Sequence, residues 1–355
     1  MTKIKSILAP SFLPATAVIE TTYKCNHQCL FCSCPWEAPE SKFVKHKELS
    51  IDKWKKIIKT LVEKGVLNIA FSGGEPLMKK GIEELIEFTS KLEARFIETE
   101  NDELIERKAP PKIYVISNGG LMKEKFLDFC KKYNIHLSMS LPGLETYNYH
   151  TKSGKPENIL HLFAEAKKRD ISTTVNITAT KKNIHELYET ISNALIAGAD
   201  NLLLNRFLPG GRGLKYRYEL FMDVEETNKM LEIAEEVLLK ANRKGSVGTE
   251  LPKCLIKKED FTNLKVGTKC SAAIDFFTID PSGYIRACNH SENRLLHFSE
   301  YENLKTTKLW KKFVMKEYRP EMCKKCKYQY ICDGGCREAA NICGGCLEAE
   351  DPLFG

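Results

Sequence analysis

The chain of 355 residues is 43% hydrophobic and 28% charged, a balance that supports a large buried core and excludes a disordered protein. Its formal net charge of +7 is spread along the chain without a dense basic tract, which favours a solvated surface over a nucleic-acid footprint. No uninterrupted apolar run approaches the roughly 18 residues of a membrane span, and the length allows one large domain or two to three smaller ones.

The N-terminal stretch "MTKIKSILAPSFLPATAVIE" has early lysines, an apolar middle and a small-residue "ATA", the marks of a signal peptide. Pro10 and Pro14 interrupt it, however, and "ATAVIETTY" reads better as a buried first strand. Export would lead the fourteen cysteines to pair, so the choice depends on what they are spaced for. In "YKCNHQCLFCSCPW", residues 23–36, four of them follow the strand directly and suit a disulfide staple, a zinc site or a redox cluster. A chain with this much core needs no staple. The C-x3-C-x2-C run of Cys25, Cys29 and Cys32 converges thiolates on one point, as metal ligation requires. Zinc usually takes two such pairs; three thiolates leave one iron of a 4Fe–4S cube without a protein ligand.

Short apolar strands then alternate with amphipathic helices. "LNIAFSG" precedes "GIEELIEFTSKLEARF", "KIYVISN" precedes "MKEKFLDFCKKY", "HLSMSLP" precedes "ENILHLFAEAKKR", and "STTVNITAT" precedes "IHELYETISNALIAG". This is a βα repeat, predicting an α/β fold with a parallel sheet and crossover helices over its outer face. In such barrels the loops at the carboxyl ends of the strands carry the chemistry, and the cysteine run, "SGGEP" and "SNGG" all stand at strand ends. Singly, Gly73–Gly74 and Gly119–Gly120 also read as turn glycines, and Ser140 as a strand cap. The charged stretch "KLEARFIETENDELIERKAPPK", 91–112, is expected as an exposed helix or loop. Cys130 falls on an amphipathic helix as a small core residue. Toward the C-terminus, "FTIDPSGYIRAC" reads as a hairpin, and "CKKCKYQYICDGGC" and "CGGC" follow it, with a zinc ribbon as the plain alternative.

In this order the motifs resemble those of radical S-adenosylmethionine (radical SAM) enzymes. "CNHQCLFC" is similar to the family's cluster motif, with Phe31 in the aromatic place. "FSGGEPL" resembles the segment holding the amino group of S-adenosylmethionine, which points to Gly73, Gly74 and Glu75. "YVISNGG" puts Ser117 and Asn118 where the ribose is met, "HLSMSLPG" supplies Ser140 toward the methionine end, and "TVNITATKKNI" supplies Asn176. Lys152 in "YHTKSG" stands where relatives often carry an arginine that steadies the carboxylate, without that residue's bidentate fork. "LLLNRFLPGGRG" resembles the end of the barrel in peptide-maturing members, against a plain reading as a Gly-rich turn with a surface arginine.

The last hundred residues resemble the SPASM extension of that family, which houses two auxiliary iron–sulfur clusters. By that resemblance Cys270, Cys288 and Cys336 serve the inner one, joined by Cys254, and Cys323, Cys326 and Cys332 the outer one, joined by Cys346 or Cys343. Cys34 and the other C-terminal cysteine are expected as spare thiols. The resemblance implies a partial (β/α)6 barrel over 1–215, a helical bridge over 216–250 and the SPASM part over 251–355. It also implies three 4Fe–4S clusters and S-adenosylmethionine, cleaved reductively to a 5′-deoxyadenosyl radical that abstracts hydrogen. An auxiliary cluster fully ligated by cysteine would relay electrons from the substrate, and one with an open iron would bind a substrate heteroatom.

A peptide or small-protein substrate is the expected class, with a tetrapyrrole-like cofactor precursor as the alternative and a non-catalytic electron carrier as a third reading. Formylglycine formation is disfavoured, because Asn289 follows Cys288 where sulfatase-maturing relatives carry an aspartate. A flavodoxin or ferredoxin would supply the electron. With 24 residues before Cys25, leader recognition would fall to a separate protein or another surface. Oxygen sensitivity implies a cytoplasmic location, with neither membrane nor nucleic acid as partner.

Overall fold

The computed structural model describes residues 13–41, 43–100 and 103–355. The first twelve residues of the signal-like stretch lie outside them. Strand β1 (Thr16–Glu20) is followed by the cysteine loop and helix α1 (Ile51–Glu63), then β2 (Asn68–Ser72) and α2 (Ile82–Ser90). A hairpin of β3 (Ala94–Glu100) and β4 (Glu103–Ala109) leads to β5 (Lys112–Ser117), α3 (Glu124–Lys132) and β6 (His136–Ser140). Next come α4 (Tyr147–Thr151), α5 (Pro156–Lys168), β7 (Thr173–Ala179), α6 (Leu187–Ala197) and β8 (Asn201–Arg206). The chain continues through α7 (Arg217–Leu220), α8 (Val224–Ala241), β9 (Lys244–Val247) and β10 (Leu264–Val266). It ends with β11 (Phe276–Ile279), β12 (Tyr284–Arg286), β13 (Leu296–His297), α9 (Lys308–Val314) and α10 (Arg337–Gly344).

Among the described residues eleven strands form one sheet, ordered β10-β9-β8-β7-β6-β5-β2-β1-β11-β12-β13. Pairing is parallel from β10 to β11 and antiparallel beyond. The sheet is two-sided. Ile19, Phe71, Val115 and Met139 pack into the apolar core, while Val18, Ala70, Ile116 and Ser138, one residue out of phase, line an interior space.

Helix starts follow local chemistry. Ser50 caps α1 by accepting from Lys53 N, and Trp54, Ile57, Ile58, Leu61 and Val62 form its buried stripe. Asp223 and Glu226 build a capping box on α8, which Asn242 closes in the left-handed region.

The six predicted βα strands are β1, β2, β5, β6, β7 and β8, and the sheet extends beyond them. The stretch 216–250, expected as helical, holds α8 and also β9, a strand paired with β8. The hairpin expected in "FTIDPSGYIRAC" forms as β11–β12, with β11 parallel to β1. The C-terminal part is therefore hydrogen-bonded to the first strand. The charged insertion is neither helix nor loop: β3 and β4 pair antiparallel, with Ala94 opposite Ala109. Its Phe96, Ile97, Leu104 and Ile105 favour a strand, a preference hidden in the sequence by the density of charge.

Candidate active site

Parallel pairing puts the carboxyl ends of β1, β2, β5, β6, β7 and β8 at one end of the sheet, and the segment from Thr21 to Pro35 starts there. Backbone contacts hold this cysteine loop on three sides. On the first, Gly74 N donates to Thr22 O and Glu75 N to Lys24 O, both at 2.8 Å. A Cβ on Gly74 would stand 2.1 Å from Lys24 O, and one on Gly73, whose φ is +140°, 2.7 Å from Thr22 O. Only glycine permits that approach.

On the second side, α4 offers its last carbonyls: Leu30 N donates to His150 O at 2.8 Å and Gln28 N to Thr151 O at 3.1 Å. The Phe31 ring lies 5.8 Å from that of His150. On the third, Gly213 N donates to Cys32 O at 3.0 Å, and Arg212 Nη1 donates to Cys29 O at 3.2 Å while the same side chain pairs with Glu37. The P-G-G-R-G run is thus a clamp on the loop, and its arginine is turned inward.

Three thiols face this frame, Cys25 exposed and Cys29 and Cys32 half-buried. The Cys25 sulfur accepts from His27 N at 3.4 Å and Asn118 Nδ2 at 3.7 Å, and burial outweighs these donors and holds its thiol above the usual range. Cys34, expected as a spare, donates to Gly73 O at 3.8 Å and lies against Cys32. Glu75 is fully buried. It accepts from Ser117 Oγ and Asn118 N at 2.8 Å and from Leu77 N at 3.1 Å, and burial holds its carboxyl above the usual range. Its carboxylate and the Ser117 hydroxyl serve to tie β2 to β5, and the Asn118 amide reaches the cysteine loop through Asn26 Oδ1 at 2.9 Å.

Ser140 and Asn176 stand side by side in register on β6 and β7. Asn176 Oδ1 accepts from Asn205 Nδ2 at 3.1 Å, which adds a β8 residue that the sequence had not singled out. Lys152 is exposed, in the left-handed region at the end of α4, with its ammonium 4.8 Å from the centre of the Tyr149 ring.

Two buried ion pairs join this end to the C-terminal part. Arg206 on β8 pairs with Asp351, which also accepts from Cys336 N at 2.8 Å. Glu20, the last residue of β1, pairs with Arg286 on β12, and Arg286 Nη1 donates to the carbonyls of Asn289 at 3.0 Å and Ser291 at 2.6 Å. Burial pushes Glu20 up to about 7, ahead of the lowering by Arg286. The native state therefore takes up a proton before the unfolded chain does, so the cost of the ionised carboxyl is absent at low pH and grows as pH rises through about 7. Replacing Arg286 with methionine leaves that charge unpaired and is expected to cost about 3–5 kcal/mol at pH 8, and less at pH 5. Anaerobic urea unfolding at the two pH values measures this; an equal loss at both would remove Glu20 from the explanation.

The C-terminal cysteines form two groups. Cys270, Cys288 and Cys336 are buried, and the Cys270 thiol is pushed well up by burial first and then by Glu250, Cys288 and Cys336 beside it. Asp333 braces this group: it accepts from Cys270 N at 3.0 Å and pairs with Lys316 and Arg319. Cys254, expected with these three, lines a small cavity with Cys323, Cys326 and Cys332 instead. Its loop turns toward Cys332, whose sulfur accepts from Lys253 N at 3.3 Å. Cys343 and Cys346 are exposed and line no part of that cavity.

Among the described residues no three His, Cys, Asp or Glu side chains converge tightly enough to hold a single metal ion. Sulfurs around one tetrahedral zinc stand within about 4 Å of one another, and those at the corners of a polynuclear cluster stand wider.

The Radical SAM superfamily profile matches residues 19–194. The PqqA peptide cyclase of Bradyrhizobium diazoefficiens is 26% identical over 96% of this chain and 86% of its own. SuiB of Streptococcus suis, solved with S-adenosylmethionine, shares the fold at a TM-score of 0.72 with 17% identity, over 96% of this chain and 77% of that one. The same protein bound to its precursor peptide SuiA matches at 0.70, and so does anSMEcpe with bound AdoMet, at 17% identity over 96% of this chain and 94% of that one. Residues 19–194 are therefore a radical SAM domain, continued within one sheet by a cysteine-rich C-terminal part.

Proposed function

We propose that this radical SAM enzyme modifies a ribosomally made peptide, by cross-linking, epimerisation or oxidation. The observation that carries the reading is the convergence of Cys25, Cys29 and Cys32 with Asn118 and the Ser140–Asn176 pair at one end of the sheet. When bound, the cluster and S-adenosylmethionine supply a carbon radical that takes hydrogen from unactivated C–H bonds, chemistry beyond acid–base side chains. The chain's own residues do the rest. The three thiols hold the iron, and the backbone frame fixes them. Asn118, Ser140 and Asn176 present polar groups to S-adenosylmethionine from the inner face. Lys152 contributes a positive charge near the α4 end of the loop.

A peptide substrate is favoured because a protein of matching fold is solved with its precursor peptide and a relative by sequence is named a peptide cyclase. On this reading 1–215 is the barrel part, 216–250 a bridge and 251–355 the holder of two auxiliary clusters, three 4Fe–4S clusters in all. A flavodoxin or ferredoxin provides the electron. No helix among the described residues is long and apolar enough to cross a membrane. The oxygen sensitivity of an open-iron cluster is what favours a cytoplasmic location in this reading.

The test follows 5′-deoxyadenosine release by anaerobically reconstituted protein as size-separated extracts of the source cell are added. Stimulation by the peptide fraction is expected. Stimulation by the small-molecule fraction alone would replace the peptide with a cofactor precursor.

A further inference from the structure

The cysteine-rich part contains more thiols than two clusters require, and the fold sorts them differently from their order in the chain. Cys254 sits in a short helical turn, Lys253–Leu255, in the connection between β9 and the edge strand β10. That turn docks on the outer group. The Lys253 N–H points at Cys332 Sγ, which also accepts from Gly334 N at 3.2 Å, and Cys326 Sγ accepts from Tyr328 N at 3.5 Å. Cys254, Cys323, Cys326 and Cys332 then line one small cavity, with Pro252 and Phe354 among the other residues of its wall.

The alternative sulfurs are elsewhere. Cys343 lies on the last turn of α10, where its charged neighbours are Arg217, Asp351 and Arg206. Gly345 ends α10 in the left-handed region, so the chain turns before Cys346, which is also exposed. For either to reach the outer group, the segment after α10 would have to leave its place. That place is fixed: Arg337 donates to Leu347 O and Ala349 O, both at 3.0 Å.

We propose that Cys254 supplies the fourth sulfur of the outer auxiliary cluster, with Cys323, Cys326 and Cys332, and that neither Cys343 nor Cys346 is a cluster ligand. The assignment rests on reading the C-terminal part as cluster-bearing. It leaves the inner group with Cys270, Cys288 and Cys336 alone, one iron without cysteine, and with the carboxyls of Glu250 and Glu338 beside them.

The test uses full-length protein in which Cys25, Cys29 and Cys32 are all alanine, so that only auxiliary iron is counted. Anaerobic reconstitution should give about eight irons per chain. Adding Cys254→Ala should lose about four of these irons, or convert one cluster to a three-iron form visible by electron paramagnetic resonance. Adding Cys343→Ala together with Cys346→Ala should leave iron content and spectrum unchanged. The proposal is overturned if Cys254→Ala keeps both clusters intact while the C-terminal double substitution destroys one. A parent protein that binds no iron at all would overturn the cluster-bearing reading itself, and this assignment with it.

Discussion

Single replacement of Cys25, Cys29 or Cys32 by alanine is expected to abolish S-adenosylmethionine cleavage and to remove about four irons per chain. The expectation rests on each of the three having its own place in the frame. Cys25 is held by donors from His27 and Asn118, Cys29 by the Arg212 bond to its carbonyl, and Cys32 by the Gly213 N–H. The nearest other thiol, Cys34, is committed to the Gly73 carbonyl. As a control, Cys130→Ala changes a buried thiol on α3 that touches none of this, so it should keep both iron and turnover. The measurements are iron content, circular dichroism and 5′-deoxyadenosine release. A folded alanine variant with wild-type turnover would remove the cysteine loop from the chemistry.

The loop was legible in the sequence because its ligands are local, three cysteines within eight residues. The six βα strands were legible for a similar reason, since each has enough alternating or continuous apolar residues to show its period. β9 and β10 did not show, as "KGSV" and "LKV" are too short to display one.

What was hidden depends on distant pairs. Glu20 meets Arg286 across 266 positions and Arg206 meets Asp351 across 145. Neither pair leaves a mark in its own neighbourhood, and a buried arginine looks in sequence like an exposed one. The grouping of Cys254 with Cys332 is of the same kind. Order along the chain suggests the nearer Cys270, and the fold brings the loop to the other group. The roles of "SGGE" and "SNGG" were also only half visible. Their position at strand ends was clear, while the commitment of Glu75 and Ser117 to each other required the β2–β5 pairing to be seen.

That commitment makes Gly74→Ala informative. If the glycine's purpose is to let S-adenosylmethionine approach the backbone, a methyl group there weakens cofactor binding and leaves the iron in place. The structure gives a different cause. The added Cβ would stand 2.1 Å from Lys24 O, one residue before Cys25, and neither partner is a flexible side-chain end that could swing away. Relief requires the chain at Thr22–Cys25 to move off the end of β2, breaking the Gly74–Thr22 and Glu75–Lys24 hydrogen bonds. Cys25 moves with it, and three-point ligation does not survive such a displacement. The expected result is loss of about four irons per chain and at least a hundredfold fall in turnover. Iron analysis beside S-adenosylmethionine affinity separates the two causes. Full iron with weakened affinity would assign Gly74 to the cofactor; missing iron would make it the residue that seats the cluster loop.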